Sequence, residues 1–266
     1  IQVERIDLRF PLNLLVRGVE VIQQPDTLLS LESLNVRVQA WPLLKGKVEV
    51  DEVTLSQVAV NSANLIEGMQ IKGVLGRFFL QSHGVDLSNE TAVVNRTELS
   101  DTHIQLLMTD TTTTPKDTTA SAPVNWKVNL HQLKLKNVSF GMKLPADSMK
   151  MAAYIGEATI DDAKADLKNQ FYGLKQFLLS GASASYDTGE AQPSEGFDAS
   201  HMAVRNIRIG LDSLLYEGRN MNAVIREITM EERSGLSITS LTGRLFSNDS
   251  IIRIPELKLQ TPHSEI

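Results

Sequence analysis

A mostly β fold, a long antiparallel sheet curled into an open trough with few helices, is what this 266-residue sequence predicts. Three observations predict it. An apolar spacing of the form h-x-h-x-x-h-x-h recurs along the chain. Strand-forming residues, broken by Gly, Asn and Asp, dominate between its copies. Only one stretch carries a spacing that would fit a helix face.

The spacing opens at Ile1, Val3, Ile6 and Leu8 and returns at Leu29, Leu31, Leu34 and Val36. It continues at Val48, Val50, Val53 and Leu55, extended by Val58 and Val60, and at Val128, Leu130, Leu133 and Leu135, extended by Val138 and Phe140. Downstream copies are Met202, Val204, Ile207, Ile209 and Ile252, Ile254, Leu257, Leu259, with a weaker one at Leu236, Ile238, Leu241 and Gly243. Alternation at i and i+2 keeps two side chains on one face of a strand, and a straight strand would turn residue i+5 to the other face. A bulge or bend that inserts one residue restores the face, so each copy describes a strand that bends while keeping one apolar side inward. Repetition suits a sheet that curls over that side, as solenoids and open troughs do.

Further strands are expected at Met69–Ile71, Phe78–Leu80, Ile104–Leu106 and Met221–Met230. Ala163, Leu167, Phe171, Leu174 and Leu178 would fit a helix, but Gly173 and the flanking β character favour a hairpin. Residues 109–123, rich in Thr and Pro, have almost nothing to bury and read as an exposed loop, a point at which one extended β domain over 1–266 could subdivide. Ser180–Ser200, rich in Gly, Ala, Ser and acidic residues, reads as a second long excursion.

Composition narrows the function. Hydrophobic and charged shares of 42% and 22% are those of a folded domain. A net charge of −6 with no concentration of Lys and Arg argues against nucleic acid. The absence of cysteine removes disulfides, thiolate zinc sites and a cysteine nucleophile. No apolar run is long enough to span a bilayer, and the first residues are no signal peptide. A start that is not Met and falls inside a strand pattern is expected of a piece of a longer protein, with any anchor outside it.

Asp26-Thr27-Leu28-Leu29, Leu34-Asn35-Val36-Arg37-Val38, Trp41-Pro42-Leu43-Leu44-Lys45-Gly46-Lys47-Val48, Val53-Thr54-Leu55 and Val58-Ala59-Val60 follow one another as strand, turn and strand. That order resembles the opening units of the AsmA and translocation-and-assembly-module B (TamB) family. Gly243-Arg244-Leu245 and Ile252-Arg253-Ile254-Pro255-Glu256-Leu257-Lys258-Leu259, with Thr261-Pro262-His263-Ser264, resemble a recurring unit of TamB-like proteins. The likeness covers residues 1–60 and 200–266. It implies a periplasmic, non-enzymatic protein, attached to the inner membrane by a segment before residue 1 and reaching toward the outer membrane. It further implies a β trough that conducts phospholipid, and, for the TamB branch, outer-membrane protein assembly through a barrel partner.

The expected groove lining is therefore Val48, Val50, Val53, Leu55, Val128, Leu130, Leu133, Leu135, Ile207 and Ile209. A closed core would use the same residues. The competing accounts are a scaffold whose sheet edge pairs with a barrel partner by β-augmentation and an ordinary β-sandwich binding module, which would want clustered aromatics. Two Trp and four Tyr, widely separated, offer that little support.

Catalytic and metal sets are not found, and no cofactor is implied. His83, His103, His131, His201 and His263 have no ligand spacing, and Asp198 with His201 reads as a surface turn. Asp161-Asp162 reads as a solvated turn, Gly181–Ser185 lacks the final Gly of a nucleophile elbow, and Gly73–Gly76 is too short for a phosphate loop. Asp followed by Ser or Thr and then by an apolar residue or Thr recurs at Asp26, Asp110, Asp117, Asp147, Asp212 and Asp249. It resembles the O-glycosylation acceptor of Bacteroidetes-type envelope proteins and is equally an ordinary turn start.

Overall fold

The structure is a computed structural model that describes residues 1–10, 12–23, 25–43, 49–62, 68–86, 89–108, 125–189 and 191–265. The strands are β1 (Gln2–Arg9), β2 (Asn13–Gln23), β3 (Asp26–Val38), β4 (Val50–Asn61), β5 (Met69–Asp86), β6 (Thr91–Met108), β7 (Lys127–Leu144) and β8 (Met149–Asp166). They continue with β9 (Phe171–Leu174), β10 (Gln176–Asp187), β11 (His201–Glu217), β12 (Asn220–Glu232), β13 (Ser237–Ser247), β14 (Ile252–Arg253), β15 (Lys258–Thr261) and β16 (Ser264–Glu265). Among the described residues one short helix, Ala40–Leu43, and a single 3₁₀ turn at Pro145–Asp147 interrupt them.

All sixteen strands of the described residues join one sheet, ordered almost as they occur in the chain: β1 to β8, then β10 to β13, then β15 and β16. β9 bridges β8 and β11, and β14 lies beside β13. The mostly β, curled-sheet class expected from the sequence is the one observed. Neighbours are antiparallel with one exception, since β6 and β7 run parallel from Thr91 opposite Lys127 to Leu107 opposite Lys143. A parallel pair needs a crossover of a dozen or more residues, and the chain between Met108 and Lys127 provides that length. The Thr/Pro-rich loop of 109–123 lies outside the described residues, as does the expected lining residue Val48.

Strands of 18 residues at β5 to β8 exceed the usual 3–10, and nothing in the described residues packs a second layer on them. Every pair of described strands in extended contact is also a hydrogen-bonded pair. The buried apolar residues are correspondingly small, namely Ala92, Ala158, Ala182 and Ala223, and among the described residues no large side chain is fully buried. Stability therefore resides in the ladder and in cross-strand side-chain pairs more than in a two-layer core.

Residues 163–178 form the expected hairpin: Asp166 opposes Phe171 and Lys164 opposes Gly173. Two expectations are corrected. The excursion expected over Ser180–Ser200 begins only after Asp187, because the small residues from Ser180 to Ser185 belong to β10, where Ala182 is buried between neighbouring strands. Asp161 and Asp162 are not in a turn but within β8, where Asp162 takes a left-handed backbone (φ 49°). The copy at Ile252 to Leu259 also departs from one bent strand. It forms β14 and β15, both paired to β13 and separated at Glu256 (φ 60°).

Candidate functional site

Directly opposed residues in a sheet share a face, so the register shows what each face carries. One row starts at Ile6 and runs through Val16, Leu34, Leu55, Phe78 and Leu99 on β1 to β6. It continues through Leu135, Ala158, Leu179 and Ile209 on β7, β8, β10 and β11. Ile228, Leu241 and Leu259 complete it on β12, β13 and β15. No polar residue interrupts that row. The row beside it passes through Leu8, Leu14, Val36, Val53, Leu80, Thr97, Leu133, Ile160, Phe177, Leu211 and Ile225, with Thr97 its one polar member.

A third row lies beyond a crease. Val3, Val19, Leu31, Val58, Leu75, Thr102, Val138 and Ile155 oppose one another in turn. From the first row to this one every strand steps by three residues instead of two, as from Leu55 to Val58 or from Leu135 to Val138. No register shift accompanies the step from β1 to β8, so neighbouring strands bend together along one line. Gly18, Gln57, Asp101, Asn137 and Gly181 on that line all adopt the left-handed backbone, with φ between 50° and 61°. This is the physical content of the two-residue break in the apolar spacing. Two consecutive residues, such as Ser56 and Gln57, stand on the polar side; that side is the longer path, and the aliphatic side is the concave one.

Side chains at the creases form a polar ladder on the outer side. Asn137 Nδ2 donates to Asp101 Oδ1 at 2.8 Å. A second step, on β6 to β8, carries Thr97 to Val94, Leu133 to Leu130 and Ile160 to Ala163. Here Lys175 Nζ donates to Asp162 Oδ2 at 2.7 Å and His131 Nδ1 to Asp162 Oδ1 at 3.1 Å. Those hydrogen bonds hold the Asp162 carboxyl below the usual carboxylate range and raise the Lys175 ammonium.

The expected lining residues fall on this lattice. Val53 and Leu133 share the row that ends at Ile225; Leu55, Leu135 and Ile209 share the row that ends at Leu259. Ile207 opposes Ala182 beyond the crease, Val50 opposes Val38, Val128 opposes Ala92, and Leu130 opposes Val94. All nine are half-buried, neither sealed nor fully exposed.

A hollow of about 1080 Å³ lies elsewhere among the described residues, and none of these residues lines it. It sits over the ends of β5 to β8 and β10 to β12, with the turn that follows β12, on the opposite face. Cross-strand rows of that face line it: Lys72, Gln105, Gly141, Ala152, Ser185 and Ala203 in one, Gln70, Leu107, Lys143, Lys150 and Asp187 in the next. Sequence reasoning missed it. The available signal was the pair Lys143 and Lys150, symmetric about the turn at Pro145–Ser148.

Other chemistry stays dispersed. Among the described residues no three His, Asp or Glu side chains gather as metal ligands. His83 meets Asn95, His103 meets Ser139, and His201 meets Asp198. The last pair closes the expected turn, with the His201 backbone N–H donating to the Asp198 carbonyl at 3.1 Å, but not at the surface: His201 is buried, and the Asp198 carboxylate also accepts from the Ser194 and Ser200 backbone N–H groups. Those donors hold its carboxyl far below the usual range. Gly73 and Gly76 are interior to β5, where added Cβ atoms would meet the backbone of β6. Of the Asp-Ser/Thr pairs, Asp147-Ser148 and Asp249-Ser250 sit in turns, Asp26 starts β3 after one, and Asp212 is at an irregularity in β11; Asp110 and Asp117 lie outside the described residues. No protein-family model matches the chain, and no curated protein is significantly similar to it.

Proposed function

We propose that this chain is a non-enzymatic, lipid-carrying segment of an envelope protein, whose concave aliphatic face holds acyl chains while headgroups stay in water. The observation that carries the reading is the row from Ile6 to Leu259, unbroken by polar residues on a sheet with no second layer among the described strands. Monomeric soluble proteins rarely leave apolar patches beyond a few hundred Å² open, and larger ones mark interaction sites. A buried methylene contributes about 0.8 kcal/mol, so covering about ten of them supplies about 8 kcal/mol before ordering costs. No specific polar contact is needed, and headgroup selectivity would be low. Supporting the periplasmic, inner-membrane-anchored setting and a phospholipid cargo is the resemblance of residues 1–60 and 200–266 to AsmA and TamB-like units.

Photo-crosslinkers at Leu55, Leu135 and Ile209, with native mass spectrometry of the purified chain, test this. Phospholipid adducts at all three positions are expected, and none at the outer residues Arg77 and Lys136. Equal labelling on both faces, or no lipid at all, would sink the proposal.

A second reading has its own observation. β1 is an open edge on which Ile6 (64% exposed) and Leu8 (72%) stand in solvent, as do Ile1 (90%) and Phe10 (98%) at its two ends. An added strand, from a barrel partner or another part of the parent protein, would cover them by β-augmentation. Protein adducts confined to β1 would favour this scaffold role.

A further inference from the structure

We propose that the hollow on the outer face is a binding site for a phosphate monoester, its phosphate held between Lys143 and Lys150 and its organic body lying over the Gly141–Ala152 floor. This does not rest on the lipid reading, which concerns the other face.

The charges make the case. Lys143 and Lys150 are direct cross-strand partners on β7 and β8, and like charges so placed repel. Asp187 opposes Lys150 on β10, yet neither lysine, nor Lys72 on the same wall, forms an ion pair among the described residues. Asp187 and Glu232 line the hollow as well, but with Lys72, Arg205 and Arg233 beside the two lysines its lining stays net cationic in a chain whose net charge is −6. A doubly charged phosphate between two ammonium groups would relieve that repulsion. A lone chloride would relieve less of it.

The floor makes the rest. Gly141 and Ala152 oppose each other, flanked by Ser139 and Ser185, so the backbone lies open between the lysines and Tyr154. A Cβ on Gly141 would meet nothing closer than 3.8 Å, which leaves that floor unfilled. Tyr154 is 39% exposed and offers a ring to an apolar or flat body. His103 Nδ1 is engaged with Ser139 Oγ at 2.6 Å, which fixes the inner wall.

Hexyl phosphate, inorganic phosphate and sodium chloride at matched ionic strength, titrated by calorimetry, test the site. Hexyl phosphate should bind at least ten times more tightly than inorganic phosphate and raise Tm, while chloride should do neither. Lys143→Gln with Lys150→Gln should weaken hexyl phosphate at least tenfold and, without ligand, leave Tm equal or higher; Lys164→Gln on β8 should change neither. Acetylation of the unmodified chain, read by mass spectrometry, needs no variant: hexyl phosphate should protect Lys143 and Lys150 and spare Lys164 from protection. Vesicles containing phosphatidic acid that displace hexyl phosphate would assign the site to a lipid headgroup, and failure to displace would assign it to a free ester; both outcomes support it. Binding unchanged in the double variant, no preference over chloride, or uniform protection of all lysines would overturn it.

Discussion

Gly156 lies against the backbone of Gly181: a Cβ built on it would stand 2.9 Å from the Gly181 carbonyl oxygen and 3.0 Å from that of Ser180. Gly76 stands in the same relation to Asp101, with a Cβ 2.8 Å from its carbonyl oxygen. In both places one strand turns left-handed at the crease and drives a carbonyl toward its neighbour, where only a glycine leaves room.

Gly156→Ala and Gly76→Ala should therefore each destabilise the chain by about 1–3 kcal/mol, the range of overpacked sites. Gly141→Ala, with open space at its Cβ, should cost far less than either. Urea denaturation of the three variants checks the ranking. Equal costs at all three would remove the crease.

Gln57 occupies the left-handed region at φ 50° in the middle of β4. That region costs a side-chain-bearing residue about 1 kcal/mol and a β-branched one more. Gln57→Gly should raise stability by up to about 1 kcal/mol, and Gln57→Val should lower it. A straight strand would give the opposite order, since Val is the better strand former. Thermal melts of the two variants decide between them.

Leu133 is half-buried on the concave face, opposite Thr97 and Ile160. With no second layer above it, Leu133→Asp leaves the new carboxylate access to water and should cost about 1–2 kcal/mol, well below the 3 kcal/mol or more of a charge sealed in a core. Retention of a fluorescent phospholipid should fall at least tenfold in the same variant. Loss of the folded circular-dichroism signal at room temperature would mean a sealed interior.

Asp198 accepts from the Ser194 and Ser200 backbone and from His201, which holds its carboxyl well below the ordinary 3.8. The folded chain thus takes up that proton less readily than the unfolded one. The stability conferred is complete above the ordinary carboxylate range and drains as pH falls through it. Asp198→Asn should lower Tm at pH 7 and flatten the decline of Tm between about pH 5 and pH 2. A variant whose acid limb parallels that of the parent would count against this network.

How far the fold was legible follows from where its information lies. The step from Leu55 to Val58, or from Leu135 to Val138, is a local spacing; it told of a bend that keeps one face apolar, and the left-handed Gln57 and Asn137 are that bend. The hairpin around Phe171 was legible for the same reason. The small residues after Ser180 misled, because Gly, Ala and Ser mark loops on average, and here Gly181 serves a crease and Ala182 a crowded neighbour strand. Asp161-Asp162 misled likewise, as its turn chemistry is spent on a kink inside a strand.

Taken alone, the order of residues determined the β class, the two faces of each strand and the positions where strands bend, because side-chain alternation and backbone preference act within a few residues. Only the tertiary structure decided which residues oppose which: the parallel pairing of β6 with β7, the alignment of separate bends into one crease, and the meeting of Lys72, Lys143 and Asp187 in a hollow on the outer face. Those pairings join residues far apart in the chain, and their selection depends on register across many strands, which no local spacing encodes.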